Sequence, residues 1–141
     1  VTYDEAYRAV REHRLRYPET AVTYYAQNYP AMAWAVAMAG GSCPQIKGVS
    51  EELLQAFART VPMERKAGDV YEMVKSDTDI IIYSHSKSKF TIPVAAGKYM
   101  LKQVNVETGE EFVIDNRLRI SGQCEIPAAS QEECVYWLHR L

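Results

Sequence analysis

The stretch Ala31-Met32-Ala33-Trp34-Ala35-Val36-Ala37-Met38-Ala39 constrains this chain more than any other. Alanine and methionine favour helix. Nine residues in a row without a polar side chain leave that helix no face for water. Such a helix has to be covered over most of its surface. It is also too short to span a bilayer, which takes about 20 residues. Asn28 is placed to cap it, Pro30 suits its first turn, and Gly40-Gly41 end it. The rest of the chain must therefore supply the cover.

Eleven of the sixteen alanines fall in residues 1–66, whereas residues 67–141 are rich in Val, Ile, Tyr, Thr and Lys. Alanine suits helix, and β-branched and aromatic residues suit a pleated surface. The composition thus predicts an α+β chain, helix-rich over 1–66 and antiparallel β-sandwich over 67–141. A first helix is expected over 3–17, capped by Thr2 with Glu5, with Ala6, Tyr7 and Val10 on its apolar face. Thr20–Ala26 reads as a short buried strand and Ser42–Ile46 as another. Ser50 caps a third helix whose stripe is Leu53, Leu54, Phe57 and Val61, closed by Pro62. Helix, strand, helix, strand, helix is the order of a parallel α/β sheet. Two short strands are too few to cover both faces and both edges of one. The first half therefore reads as the end of a larger α/β body lying N-terminal to Val1. A small helical cap, with 20–26 not a strand, is the alternative.

The second half predicts strands at Val70–Lys75, Thr78–Ser84, Lys89–Val94, Lys98–Val106, Glu111–Ile114, Arg119–Ile126 and Cys134–His139. Turns are expected at Ala95-Ala96-Gly97 and Glu107-Thr108-Gly109-Glu110, at roughly sandwich spacing.

The chemistry is sparse. Eighteen acids against sixteen bases give a net charge of −2, which argues against a general nucleic-acid binder. Cys43, Cys124 and Cys134 are an odd set, and three buried thiols is the plain reading, with a Cys124–Cys134 bridge the alternative. His13, His85 and His139 are isolated, with no metal spacing. Neither a metal nor a cofactor is expected, and no phosphate-binding, zinc-protease or nucleophile-elbow motif occurs.

Two segments carry a resemblance. Asn28 through Ser42, an apolar helix with an aromatic and then Gly-Gly, resembles the segment before the last barrel strand in apiosidase-like (β/α)8 glycoside hydrolases of gut Bacteroidetes. Asp79-Ile80-Ile81-Ile82-Tyr83-Ser84, Phe90-Thr91-Ile92-Pro93 and Val106-Glu107-Thr108-Gly109-Glu110 are similar to the small C-terminal sandwich of the same proteins, often labelled collagen-binding. The resemblance implies that residues 1–66 are the C-terminal portion of a barrel and 67–141 an accessory sandwich. It implies a carbohydrate substrate, the remainder of the barrel as partner, and a secreted or periplasmic location. It also implies two catalytic carboxylates at strand ends. The position matching one of them is Gln27, which neither ionises nor serves as a base. The partner acid would lie upstream, so the chain alone is not expected to be catalytic.

Tyr24, Tyr25, Gln27, Asn28 and Tyr29 cluster at an expected strand end, and Gln45 ends the next one. Aromatics stack on sugar rings and amides bond hydroxyls, so Tyr25, Gln27, Asn28 and Gln45 are the candidate substrate contacts. The bland alternative has the tyrosines packing inward and Asn28 only capping. Trp34 reads as core. His85 with Lys87 and Lys89, Glu107 with Glu110 and Glu111, and Glu132 with Glu133 read as solvated turns. From a different class, the rival reading is a non-catalytic β-sandwich interaction module with a helical cap.

Overall fold

The structure is a computed structural model describing residues 2–22, 30–42, 45–63, 70–130 and 133–141. Helices α1 (Tyr3–Arg16), α2 (Pro30–Met38) and α3 (Glu51–Arg59) precede strands β1 (Val61–Pro62), β2 (Tyr71–Lys75), β3 (Asp79–Ser84), β4 (Phe90–Val104), β5 (Glu111–Ile126) and β6 (Cys134–Arg140). The helix-rich segment followed by an antiparallel β region is as the sequence predicts. All six strands form one hydrogen-bonded sheet in the order β1-β2-β3-β6-β4-β5.

The caps behave as their chemistry requires. Glu5 N donates to Thr2 Oγ1 at 3.2 Å and Thr2 N donates to Glu5 Oε2 at 2.9 Å, a reciprocal capping box. Leu53 N donates to Ser50 Oγ at 3.1 Å. Asn28 lies outside the described residues.

Helix α2 is buried from Met32 through Met38. Tyr7 and Val10 of α1, Leu53 and Phe57 of α3, and Ile81, Val104 and Trp137 of the sheet belong to the same apolar cluster. One polar atom inside it is provided for, since Trp34 Nε1 donates to the carbonyl of Val106 at 2.9 Å. Helices and sheet thus share one core across residues 66 and 67, where the composition changes.

The second sheet face makes its own core. Ile80, Ile82 and Leu138 cluster with Ile92, Val94, Cys124 and Ile126. The last four lie on the far half of the β4–β5 hairpin, where β4 has no β6 partner, because β6 pairs only with Tyr99–Val104. The far half therefore folds over the sheet as a second layer. Tyr71 stacks on Phe90 at 4.7 Å across the two layers. The sandwich closes by bending one ladder.

That bend replaces an expected turn. Ala95 and Ala96 are an irregularity inside β4, not a chain reversal. Their carbonyls are taken up by side chains: Tyr99 Oη donates to Ala95 O at 2.8 Å and Arg140 Nη2 to Ala96 O at 3.1 Å. The segments Glu111–Ile114 and Arg119–Ile126 likewise belong to one strand. The third helix stops at Arg59, where Thr60 takes an extended conformation and bonds back to Phe57 O through its N–H and hydroxyl. Val61-Pro62 then pair with Lys75 and Val74, a strand the sequence reading missed.

Neither expected strand of the first half is assigned in its described part, Thr20–Val22 or Ser42 with Gln45 and Ile46; residues 23–26 and 43–44 lie outside the described residues. Val22 and Ser42 are nonetheless neighbours: Ser42 N donates to Val22 O at 2.6 Å and Val22 N to Ser42 Oγ at 3.2 Å.

Removing the indole N–H tests the Trp34 anchor. Trp34→Phe leaves the Val106 carbonyl unsatisfied and a gap beside it. We expect about 2–4 kcal/mol lower stability by urea unfolding, with the fold retained.

Candidate functional site

Three places in the described structure gather polar chemistry. The first is Asp79, at the head of β3. Its side chain is buried. Arg59 donates to Oδ2 from Nη2 at 2.8 Å and from Nε at 3.3 Å, and Thr78 Oγ1 donates to the same oxygen at 2.7 Å. Trp137 Nε1 and His139 Nδ1 each lie 2.8 Å from Oδ1. Burial opposes ionisation, but the bonds from Arg59, His139, Thr78 and Trp137 outweigh it and hold the carboxyl down at about 2. Every oxygen is engaged, so Asp79 ties α3 to β3 and β6 and has no free lone pair for acid–base work.

The second is centred on His85, just after β3. Its Nε2 lies 2.9 Å from Oε2 of buried Glu72 on β2, and its Nδ1 3.5 Å from Glu133 Oε1 before β6. Tyr83 Oη donates to the other oxygen of Glu133. Tyr3 of α1 covers the group, stacked on Tyr83 at 4.4 Å and edge-on to His85 at 5.1 Å. Burial disfavours the imidazolium, yet the bonds and charges of Glu133 and Glu72 prevail and push His85 up to about 9. The same bond from His85 draws Glu133 below the usual carboxylate range, against its burial. Burial and the Glu133 carboxylate drive the Tyr83 hydroxyl far up. The imidazole is thus held between two carboxylates. A glycosidase pair needs one carboxyl with a raised pKa to act as acid. Glu133 and Asp79 are both lowered. The group fastens α1, β2, β3 and the segment before β6 together.

The third is a cavity of about 440 Å³. Ala37, Gly40, Gly41, Leu54, Phe57 and Pro62 line it, with Arg14, Ser42 and Thr60 as polar groups. It lies where α2 ends.

Of the expected substrate contacts, Tyr25, Gln27 and Asn28 fall outside the described residues. Gln45 is exposed, in the loop before α3, and joins none of the three places above. Trp34 is core, as expected. His85 and Glu133 are corrections: each was expected in a solvated loop, and both are ion-paired beneath Tyr3. Glu111 also departs from a solvated turn, with an oxygen 3.0 Å from Lys102 Nζ. Glu107 and Glu110 are exposed, as expected. Cys124 and Cys134 are buried free thiols, so no bridge joins them. Among the described residues no group of His, Cys, Asp and Glu has metal-site geometry, and no helix is long and apolar enough to cross a membrane. The missed signal was Glu72, which stands in alternation with buried Val74. A carboxylate on the inward phase of a strand has to find a cation.

A family model described as a domain of unknown function, DUF6298, matches residues 1–61. No curated protein matches the chain. Among solved structures, the chain is similar to one described as a glycoside hydrolase, at 10% identity and a TM-score of 0.49, over 64% of this chain and 23% of that one. It is similar to a family 5 glycoside hydrolase from Bacteroides vulgatus, at 11% identity and a TM-score of 0.46, over 58% and 20%. A GH30 endoxylanase from Clostridium papyrosolvens gives 6% identity and a TM-score of 0.40, over 99% and 38%. The chain spans between a fifth and two fifths of the length of these proteins.

The two ion-paired groups predict opposite pH responses. His85 is raised from 6.5 to about 9, so its stabilisation is complete below the unfolded value and fades as pH rises through about 9. The stability gap between wild type and His85→Gln, read by urea unfolding, should therefore narrow between pH 6.5 and 9. Asp79 is lowered from 3.8 to about 2, so its stabilisation is present above the unfolded value and is lost as pH falls through about 2. The gap to Asp79→Asn should accordingly shrink across that acid window.

Proposed function

We propose that this chain is the C-terminal region of a longer glycoside-hydrolase-like protein acting on polysaccharide. Residues 1–66 would be the last part of a (β/α)8 barrel and residues 67–141 a β-sandwich accessory whose main duty is structural. One observation carries the structural role: the sheet is fastened to the helical segment at three chemically different points. These are the Trp34–Val106 bond, the Tyr3 stack on Tyr83 and the Arg59–Asp79 ion pair. A binding module on a flexible tether would not bury a wholly apolar helix against its own sheet.

The barrel assignment draws support from Val22 and Ser42. Val22 lies in the first half of one expected strand and Ser42 starts the other; the two are hydrogen-bonded neighbours, and α2 lies between them in the chain. That is how neighbouring parallel strands begin on either side of a crossover helix. On this reading Tyr25, Gln27, Asn28 and Gln45 face sugar, the ionising carboxylates come from upstream strands, and the protein works in the periplasm or outside the cell.

The test uses the full-length protein. Reducing-sugar release is measured on a panel of polysaccharides for wild type, Tyr25→Ala and Gln27→Glu. Release is expected with wild type and lowered about tenfold or more by Tyr25→Ala at unchanged Tm. Release on no polysaccharide rejects the hydrolase reading, and an unaltered Gln27→Glu profile removes that residue from the site. Deleting 70–141 should abolish soluble folded protein. A deletion variant with the parental Tm would reject the structural role.

A further inference from the structure

The β4–β5 hairpin carries two irregularities within a few residues. On β5, Val113 pairs with Lys102 and Asp115 with Leu101, while Leu118 pairs with Tyr99. Ile114 is therefore an extra residue beside Val113, and Asn116 and Arg117 together oppose Met100. A bulge places two side chains where a regular strand places one, and re-aims them. The second bulge is fixed locally, since Arg117 N donates to Asp115 Oδ1 at 2.8 Å. The first bulge adds the exposed Ile114 next to Val113, and the second adds Asn116 next to Arg117.

That side of the hairpin is not covered by α1, α2 or α3. Val113 and Ile114 are 57% and 44% exposed, and Lys98, Asn116, Arg117 and Arg119 are exposed as well. Lys98 and Arg119 are direct cross-strand partners. Like charges placed opposite each other destabilise a sheet. Among the described residues, Lys98, Arg117 and Arg119 form no ion pair. Of the nearby acids, Glu111 is paired with Lys102, while Asp115, the cross-strand partner of buried Leu101, accepts from the backbone N–H of Arg117 and forms no ion pair among the described residues. Among the described residues, three cations without an ion pair thus share one open sheet face in a chain of net charge −2, with Asn116, Val113 and Ile114 next to them on the turn side.

We propose that this face binds an anionic polysaccharide, one bearing carboxylate or sulfate groups at intervals along its sugar chain. Arg117, Arg119 and Lys98 meet the anions, and guanidinium groups suit both by paired hydrogen bonds. Asn116 supplies a donor and an acceptor for hydroxyls. Met100, Val113 and Ile114 meet the C–H faces of the rings. The assignment rests on the carbohydrate reading above. A nucleic acid is the less fitting polyanion, because among the described residues the exposed ring of this hairpin, Phe112, pairs with Gln103 and so alternates to the opposite face from Val113.

Affinity electrophoresis of the full-length protein through gels holding polygalacturonate, dextran sulfate or uncharged dextran tests this, beside a mobility shift with a short single-stranded oligonucleotide. Retardation is expected with at least one anionic polysaccharide and not with dextran. The two anionic gels tell carboxylate from sulfate. Added salt should weaken the retardation, and Arg117→Gln/Arg119→Gln should weaken it about tenfold or more, whereas Lys87→Gln leaves it unchanged. Lys98→Gln should weaken binding and raise Tm slightly, because it relieves the repulsion with Arg119. Equal retardation by dextran overturns the anionic assignment while leaving the glycan reading standing. An unchanged double variant overturns this face as the site. Oligonucleotide binding that depends on Arg117 and Arg119 overturns the polysaccharide. Retardation by none of the gels overturns the inference, and the hydrolase reading is then still judged by sugar release from the full-length protein.

Discussion

Most of this structure follows from the need to surround α2. A nine-residue helix with no polar side gains nothing from water, and each of its buried side chains contributes on the order of 1–3 kcal/mol only once covered. Helix α1 covers one flank, α3 joins the same cluster, and the helix-facing side of the sheet closes the rest. Trp34 adds direction to an otherwise non-directional force. Burial alone would tolerate several rotations of the helix against the sheet, but an indole N–H in an apolar core must find an acceptor. The carbonyl of Val106 is that acceptor, and it fixes which turn of the helix faces which end of the sheet.

Around that core the charged groups act as fasteners at the rim. Asp79 gathers donors from α3, β3 and β6, and His85 gathers carboxylates from β2 and the segment before β6. Both are nearly saturated by partners from distant parts of the chain. Such groups set register and orientation more than they add net stability, because desolvation consumes much of the Coulomb gain. Where the helices end, the same sheet side changes character, and among the described residues its cations Lys98, Arg117 and Arg119 have no ion-pair partner. One surface is thus dry and shared at one end, wet and charged at the other.

Local chemistry was readable wherever neighbours in sequence decide the outcome. Thr2 with Glu5, Ser50 with the first turn of α3, and the alternation of β2 and β3 are settled within a few residues. The Gly109 turn is settled in the same way. The turn expected at Ala95-Ala96-Gly97 was not, because small residues permit a reversal without requiring one. Tyr99 and Arg140 capture the carbonyls there, and Arg140 comes from the opposite end of the sequence. Val61-Pro62 were read as the end of a helix because Val61 continues its stripe. The backbone bonds of Thr60 stop the helix two residues earlier. The partners of Asp79 and His85 lie up to 60 residues away, beyond any periodicity. For the candidate sugar contacts, Gln45 is visible as an exposed loop residue, while Tyr25, Gln27 and Asn28 stand on residue chemistry and resemblance alone.

Gly48 and Gly109 come from the two compositional halves of the chain, and each has positive φ. They meet backbone to backbone: a Cβ on Gly48 would land on the carbonyl oxygen of Thr108, and one on Gly109 would land on the Gly48–Val49 peptide. No side chain stands between the loops to absorb a change. Neither loop can therefore lengthen, shorten or acquire a bulkier residue without moving the other. The two turns have to drift together over evolutionary time, like the halves of a hinge pressed shut, although sixty residues of unrelated composition separate them.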